Sequence, residues 1–508
     1  MLHSCLLLIK STVLIYISRL TDLIPPPRNA IAVDTACSAT ILLRMIRATE
    51  PVGKSTSAIE GRSHASRRSF IVITSITVAI GGFLFGYDTA VISGAILFVR
   101  NQFHLTSFQT EIAVSVVLAG ALAGTAFGGY LGDRFGRKPT LLITAVVYGI
   151  FAITTGLATG TVVFVLSRLF VGAAVGISSM LVPLYIAELA PENIRGALVT
   201  LNQMAISTGV VVAYYVDYRL AGSGNWRLMF MSAVVPSLIL LIGLVFLPET
   251  PRWLAAHGDF AAASRVLARI ETPEKAARDL EELRHVTETD QLKFRDLLVR
   301  RFRKPLIAGI GLAIFQQITG VNTIVYYAPT IFQMVGFGSA GNAILATFLI
   351  GSVGLAFTII SMFLVDKVGR RPLLLVSLCG MCVALLHLAF ILGDPHPKKW
   401  LVVTDVLVYL AAFDIGLGPI FWLLISEIYP TTVRAQAMSL ATMTIWAGDF
   451  LVTATFLTIV EHLGMRGCFL LFAGLCVVAF VFSLRMVPET RGRTLEQIEN
   501  SWNPMGTQ

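Results

Sequence analysis

From about residue 70 onward the chain is a succession of apolar stretches separated by short polar loops, with one long polar interval near its middle. An α-helix needs ~20 apolar residues to cross the ~30 Å hydrocarbon core of a bilayer. On that measure crossings are predicted near residues 70–99, 110–131, 140–158, 162–187, 198–218, 228–247, 305–334, 342–365, 372–393, 401–428, 435–460 and 467–487. Twelve crossings return both ends of the bundle to one side. The interval 248–304 is polar, rich in Ala, Arg, Glu and Leu and patterned like short amphipathic helices, so it predicts a helical linker and not a separate enzyme domain. Residues 1–67 do not fit the pattern. Leu6 to Ile17 is apolar but interrupted by Lys10 and too short to span, so this part is expected to be a disordered extension or a misassigned start, with Met45 as the alternative first residue.

Composition agrees with the pattern. Over 508 residues, 55% are hydrophobic and 14% charged, and the mean hydropathy is +0.77, far from the soluble globular range. A net charge of +9 raises the question of nucleic acid. The distribution answers it: the basic residues sit in short clusters between apolar runs, at Arg62, Arg67 and Arg68, at Arg134, Arg137 and Lys138, at Lys367, Arg370 and Arg371, and at Arg491 and Arg493. These clusters fall on one face of a twelve-span bundle, which the positive-inside rule makes cytoplasmic, with both termini on that side and no nucleic-acid surface. Cys379 and Cys382 form a C-x-x-C inside an apolar run, where supporting metal ligands are lacking, so buried free thiols are expected and no metal.

The two halves repeat one set of motifs. Gly129-Tyr-Leu-Gly-Asp133-Arg134-Phe-Gly136-Arg137-Lys138, Pro191-Glu-Asn-Ile-Arg195-Gly196 and Pro248-Glu249-Thr250-Pro-Arg252-Trp253 occur in the first half. Asp366-Lys367-Val-Gly369-Arg370-Arg371, Pro430-Thr-Thr-Val-Arg434 and Pro488-Glu489-Thr490-Arg491-Gly492 answer them in the second. A duplicated six-helix unit, its copies related by an axis along the membrane normal, is the economical reading. The glycines suit a tight turn between antiparallel helices, and the charges can pair across helix ends and release when a gate opens; the plainer reading is capping and topology anchoring.

Together these motifs resemble the major facilitator superfamily. Pro-Glu-Thr-Pro-Arg-Trp after span six, Pro-Glu-Thr near the chain end, Arg168-Leu-Phe-Val-Gly in span four and Gln316-Gln317-Ile-Thr-Gly320-Val-Asn322 in span seven narrow the resemblance to the sugar porter family, over about residues 68–495. It implies an all-α membrane fold of twelve helices in two repeats, with halves at 68–247 and 305–490, the linker 248–304 and a cytoplasmic tail 491–508. It also implies a cytoplasmic network of Asp133, Arg134, Arg137, Glu188, Arg195 and Glu249 in one half and Asp366, Arg370, Glu427, Arg434 and Glu489 in the other, stabilising an outward-facing state. Exposed pairs are individually weak, so only a network shifts a conformer by even ~1–3 kcal/mol.

Depth suggests the chemistry. Counted from Pro305, Gln316 and Gln317 lie ~16 Å into the core, where two adjacent amides are costly unless they meet a polar ligand, a polar cavity or each other. Gly320 can break the helix above them and turn Asn322 and Tyr326 toward the same cavity. Gln203 lies ~12 Å in from the same face in the other half. The resemblance assigns these five to sugar binding and adds Phe85 and Trp422 as ring faces; amides both donate and accept and stay neutral, which matches hydroxyls. The alternatives are interhelical glue for the amides and plain packing for Tyr326 and Trp422.

Asp88 sits inside span one, and an intramembrane carboxylate is a functional candidate by default. Arg168 falls at a similar depth in span four. Burial favours the neutral acid and a nearby guanidinium the carboxylate, so a change in their separation makes proton uptake depend on conformation; a static buried ion pair is the other reading. The resemblance implies proton coupling through this pair. The pattern departs from the family at Ile445 and Gly354, where hydroxyl partners are usual. Asp414 stands where some members have a gating Glu, and Asp449 has no assigned role. The expected function is import of a hexose, pentose or cyclic polyol with a proton by a cell-membrane protein working as a monomer, with no bond chemistry and no cofactor. The alternatives are a facilitative uniporter and a transporter-like sugar sensor, the last disfavoured by the short tail. No Gly-rich loop followed by Lys-Ser/Thr is present to hold ATP.

Overall fold

The computed structural model describes residues 58–286, 299, 302–394, 396–430, 433–493 and 495–502. All regular structure among them is helical. The first half runs α1 Ala58–Phe103, α2 Ser107–Phe135, α3 Arg137–Gly156, α4 Thr161–Leu189, α5 Glu192–Ala221, α6 Trp226–Met231 and α7 Val234–Val245. Three short helices follow, α8 Pro251–Ala256, α9 Phe260–Ile270 and α10 Pro273–Val286. The second half runs α11 Arg303–Ile318, α12 Val321–Met334, α13 Ala340–Val368, α14 Arg370–Ile391, α15 Lys399–Ile415, α16 Leu417–Ile428, α17 Arg434–Thr453 and α18 Phe456–Met486, and α19 Leu495–Trp502 ends the described chain.

Ten stretches among the described residues are long and apolar enough to cross a membrane; α6 with α7, α11 with α12 and α15 with α16 each count as one. The remaining two crossings are α5 and α17. They fall short of that measure because they carry the polar interior: Asn202, Gln203, Thr208 and Asp217 on α5, and Gln436, Thr442, Thr444 and Asp449 on α17. The protein is a multi-pass, all-α membrane protein of twelve spans in two six-helix repeats.

Helix packing repeats as the motifs do. In the first half α1 lies on α5, α2 on α4 and α3 on α7; in the second α11 lies on α17, α13 on α15 and α14 on α18. The turns that open α3 and α14 are equivalent in detail. Gly136 and Gly369 take φ of 101° and 108°, and a Cβ there would lie 2.4 Å and 2.8 Å from a carboxylate oxygen of Glu249 and Glu489, so both the backbone angle and the close approach require glycine.

Several boundaries differ from the sequence pattern. Helix α1 begins at Ala58, so residues 58–67 are helical and run on into the first span; residues 1–57 lie outside the described residues, as do 287–298, 300 and 301 of the linker and 494 and 503–508 of the tail. Span eleven ends at Thr453, not near 460, and α18 starts at Phe456 and kinks at Gly464 (φ 70°). Apolar composition continues through this turn, so hydropathy alone merged the short outer segment with the wrong span. Span six is interrupted between α6 and α7, and span ten at Gly416 (φ −133°, ψ −89°).

Candidate functional site

The break expected in span seven is present. Gly320 is left-handed (φ 92°, ψ 13°) and divides α11 from α12. A broken helix in a bilayer leaves carbonyls that need donors, and here Tyr409 of α15 donates to the Thr319 carbonyl at 2.9 Å while Thr323 Oγ1 donates to that of Gly320 at 2.6 Å. The unexpected break in span ten serves the same place. Ser377 Oγ accepts from the Leu417 amide at 3.0 Å, capping α16, and Gln316 Nε2 donates to the Leu417 and Gly418 carbonyls at 3.4 Å and 3.3 Å.

From Gln316 the amides form a chain. Gln317 Nε2 donates to Gln316 Oε1 at 3.3 Å, and Asn322 Nδ2 donates to Gln317 Oε1 at 2.7 Å. Beside them stands Asp449, which accepts from Tyr326 Oη at 3.1 Å and from Thr453 Oγ1 at 3.1 Å. Gln316, Gln317, Asn322 and Tyr326 are therefore brought together as the sequence suggests, and Asp449 joins them. Its signal was legible as a carboxylate inside a span. Gln203 is part-exposed on α5 in the other half, and Trp422 lies one turn past Gly418 on α16; neither is hydrogen-bonded to the chain among the described residues. Phe85 on α1 meets Trp446 of α17 at 5.2 Å between ring centroids, a cross-half contact that the sequence reading did not include.

Asp88 and Arg168 meet as their depths predicted. Arg168 Nη1 donates to Asp88 Oδ1, the two being 0% and 4% exposed, and the guanidinium carbon lies 5.2 Å from the centroid of the Phe230 ring. Asp414 does not join the loop network. It lies one residue before Ile415 ends α15, far along the span from Glu427.

At the charged-loop end the two copies again match. Arg137 bridges Asp133 at 3.0 Å and Glu188 at 3.2 Å, and Arg370 pairs with Glu427 at 3.0 Å. Glu249 Oε2 accepts from the Lys138 amide at 3.0 Å, and Glu489 accepts from the amides of Arg370 and Arg371 at 3.2 Å and 3.1 Å, carboxylates at helix N-termini where the dipole favours them. Burial pushes the Glu249 carboxyl up from its ordinary value, against the pull of these amides. Arg195 and Arg434 each reach a carbonyl, of Ala190 at 3.4 Å and Tyr429 at 3.2 Å. Arg134 donates to Tyr130 at 2.5 Å. The side chain of Asp366 lies outside the described residues. Among the described residues the ion pairs Arg137–Asp133, Arg137–Glu188 and Arg370–Glu427 each lie within one half.

The halves meet toward the other end. Glu111 on α2, 1% exposed, accepts from the Thr458 amide and hydroxyl of α18, both at 2.7 Å, and Tyr214 of α5 donates to the Val325 carbonyl of α12 at 2.9 Å. Helix α5 also lies on α13 and α17 on α2. Glu111 was overlooked in the sequence although it is a carboxylate within a predicted span.

This geometry can be set beside known proteins. The profile described as Sugar (and other) transporter matches residues 74–502. The chain belongs to the sugar porter family of the major facilitator superfamily. It is 39% identical over 424 residues to the putative metabolite transport protein YwtG of Bacillus subtilis, covering 83% of this chain and 93% of that one. It is 35% identical over 451 residues to the arabinose-proton symporter of Escherichia coli K12, covering 87% and 96%. Among solved structures it resembles the proton:xylose symporter XylE bound to 6-bromo-6-deoxy-D-glucose, at 33% identity and a TM-score of 0.71 over 86% of this chain and 100% of that one. Members of this family are transporters, and two of these relatives are named as proton symporters of arabinose and xylose.

Proposed function

We propose that this protein imports a monosaccharide together with a proton by alternating access, its halves 68–247 and 305–490 rocking about the central cavity. One observation carries the reading: one half holds a continuous chain of neutral amides, Gln316, Gln317 and Asn322, and the other a buried carboxylate–guanidinium pair, Asp88 and Arg168. The amides match hydroxyls that donate and accept. The pair has two states, ionised and bonded or protonated and released, which is what coupling a proton to a conformational change requires. In this reading Gln203, Tyr326, Phe85 and Trp422 complete the sugar site.

The matched ion pairs Arg137–Glu188 and Arg370–Glu427 keep each half rigid as it moves. Contacts between halves concentrated at the end away from the charged loops correspond to the leg of the cycle open on the loop side. With the basic loops cytoplasmic, both termini lie inside a cell membrane and this leg faces inward. One copy carries the whole pathway, so a monomer suffices.

The test is uptake of labelled hexoses, pentoses and cyclic polyols into proteoliposomes with and without an inward pH gradient. Uphill accumulation only with the gradient is expected. Equilibration that is indifferent to the gradient would make the protein a uniporter, and no flux of any sugar would overturn the reading.

A further inference from the structure

At the end of the second half opposite the charged loops, α12 and α14 finish at Met334 and Ile391, α15 begins at Lys399 and α18 kinks at Gly464. A cavity of about 620 Å³ opens between these points, within the ~300–1,000 Å³ usual for small-molecule sites. Its wall carries one sign of charge: Lys399, Arg466 and His396 line it, and no carboxylate does. Asp394 accepts from the His396 amide at 2.9 Å and is not part of the wall. Among the described residues neither Lys399 nor Arg466 has an ion-pair partner. Glycines let both cations approach. A Cβ on Gly393 would stand 3.1 Å from Arg466 Nη1, and one on Gly336 (φ 90°) 3.5 Å from Lys399 Cε. A recess lined by cations alone concentrates anions. Its level in the bilayer narrows the choice. Trp400, next to Lys399, is 64% exposed at the height where aromatic side chains mark the membrane–water interface. Val383, Leu386 and Phe390, spaced three and four residues apart on one face of α14 and all exposed, lead from that level into the hydrocarbon. A phosphate in the cavity and an acyl chain on this stripe would belong to one molecule.

We propose that this cavity binds the phosphodiester of an anionic glycerophospholipid through Lys399 and Arg466, with the acyl chains against the exposed stripe of α14. Phosphatidylglycerol has the required chemistry, a phosphate without an ammonium. The ammonium of phosphatidylethanolamine would enter a wall that already holds two cations. The site lies outside the central cavity and does not depend on the sugar reading. Arg466 follows the kink in α18 and Thr458 precedes it, so an occupant braces the segment that meets Glu111 of the other half.

Native mass spectrometry of the detergent-solubilised full chain, titrated with phosphatidylglycerol and with phosphatidylethanolamine of the same acyl chains, reads occupancy directly. The wild type should hold phosphatidylglycerol at least about tenfold more tightly, the scale of two cations at a membrane surface. Lys399→Gln and Arg466→Gln should each lower that affinity about fivefold, while Arg466→Lys keeps it. Both side chains are exposed and without an ion-pair partner, so the variants should fold. Arg219→Gln removes a cation at the same end of the other half and should leave the affinity unchanged. Millimolar inorganic phosphate, compared with chloride at matched ionic strength, should not displace the lipid. Equal retention of the two lipids, or unchanged affinity in both Gln variants, overturns the proposal. An equal loss in Arg219→Gln overturns it in favour of diffuse surface charge, and displacement by phosphate overturns it in favour of a free-anion site.

Discussion

Replacing Asp88 by Asn removes the titrating group while keeping its shape and one acceptor for Arg168. The structure sets the scale. Both groups are almost wholly buried, at 4% and 0% exposure, and removing the charge from one partner of a buried ion pair typically costs about 3–5 kcal/mol. The guanidinium retains the Phe230 ring at 5.2 Å, a contact worth roughly 2 kcal/mol when desolvated, so the loss is only partly offset. A proton gradient of about two pH units supplies about 2.7 kcal/mol per proton, since each unit is about 1.4 kcal/mol. The energy tied to the charge state of Asp88 therefore exceeds the driving force it would transmit, and one protonation is enough to bias the conformers. With one proton per sugar, the wild type in proteoliposomes should approach about 100-fold accumulation under that gradient. Asp88→Asn should stay near onefold and still catalyse counterflow, which needs the sugar site and the rocking motion but no net proton movement. Uphill accumulation by Asp88→Asn would remove this pair from the coupling role, and loss of counterflow alongside accumulation would make the pair structural.

Gln317→Ala should weaken sugar binding by about 1–3 kcal/mol, read as a rise of about fivefold or more in half-saturating sugar for counterflow, and unchanged affinity in folded protein would favour the helix-glue reading. Glu111→Gln replaces one acceptor of the Thr458 pair with a donor, so cysteines placed beside α2 and α18 at that end should label about fivefold faster, a shift of about 1 kcal/mol; unchanged labelling would show that this contact does not hold the end closed. Burial raises the Glu249 carboxyl above its ordinary 4.5, so the fold favours the protonated acid, and that contribution is complete below 4.5 and is lost as pH rises through the raised value. Glu249→Gln, which cannot ionise, should therefore gain in Tm relative to wild type as pH rises through this window, and parallel Tm–pH curves would refute the assignment.

Much of the architecture was legible because bilayer physics constrains it: the twelve crossings and the duplication follow from where apolar length and the repeated motifs fall. The amide cluster was legible for the same reason, since polar residues at midplane depth need partners. What could not be read was where helices end inside an apolar stretch. Nothing in the hydropathy distinguishes the turn after Thr453 from the helix around it, and the interruption at Gly416 shows only through what it releases, the carbonyls of Leu417 and Gly418 that Gln316 takes up. The loop motifs were legible as charged clusters, but their individual partners were not. Proximity within one repeat decides the partners: Arg137 finds Glu188 and Arg370 finds Glu427, each at the foot of its own bundle.

The two helices that composition alone would not count as crossings, α5 and α17, occupy equivalent places in the repeats and do the most between the halves. Helix α5 lies on α13 and sends Tyr214 to the Val325 carbonyl; α17 lies on α2 and places Trp446 against Phe85. The same helices carry Gln203 and Asp449 into the interior. Their polarity is costly in lipid, so they are stable only where both flanks are covered, one by their own repeat and one by the other. In the proposed cycle, rocking the halves must therefore exchange those covers without exposing the polar faces to hydrocarbon. Water in the opening cavity can take over the hydrogen bonds, which makes the residues that line the pathway and the residues that join the halves one set. A substitution on α5 or α17 should accordingly alter sugar affinity and conformational balance together, whereas one at Arg137 or Arg370, within a single half, should alter stability with little effect on selectivity.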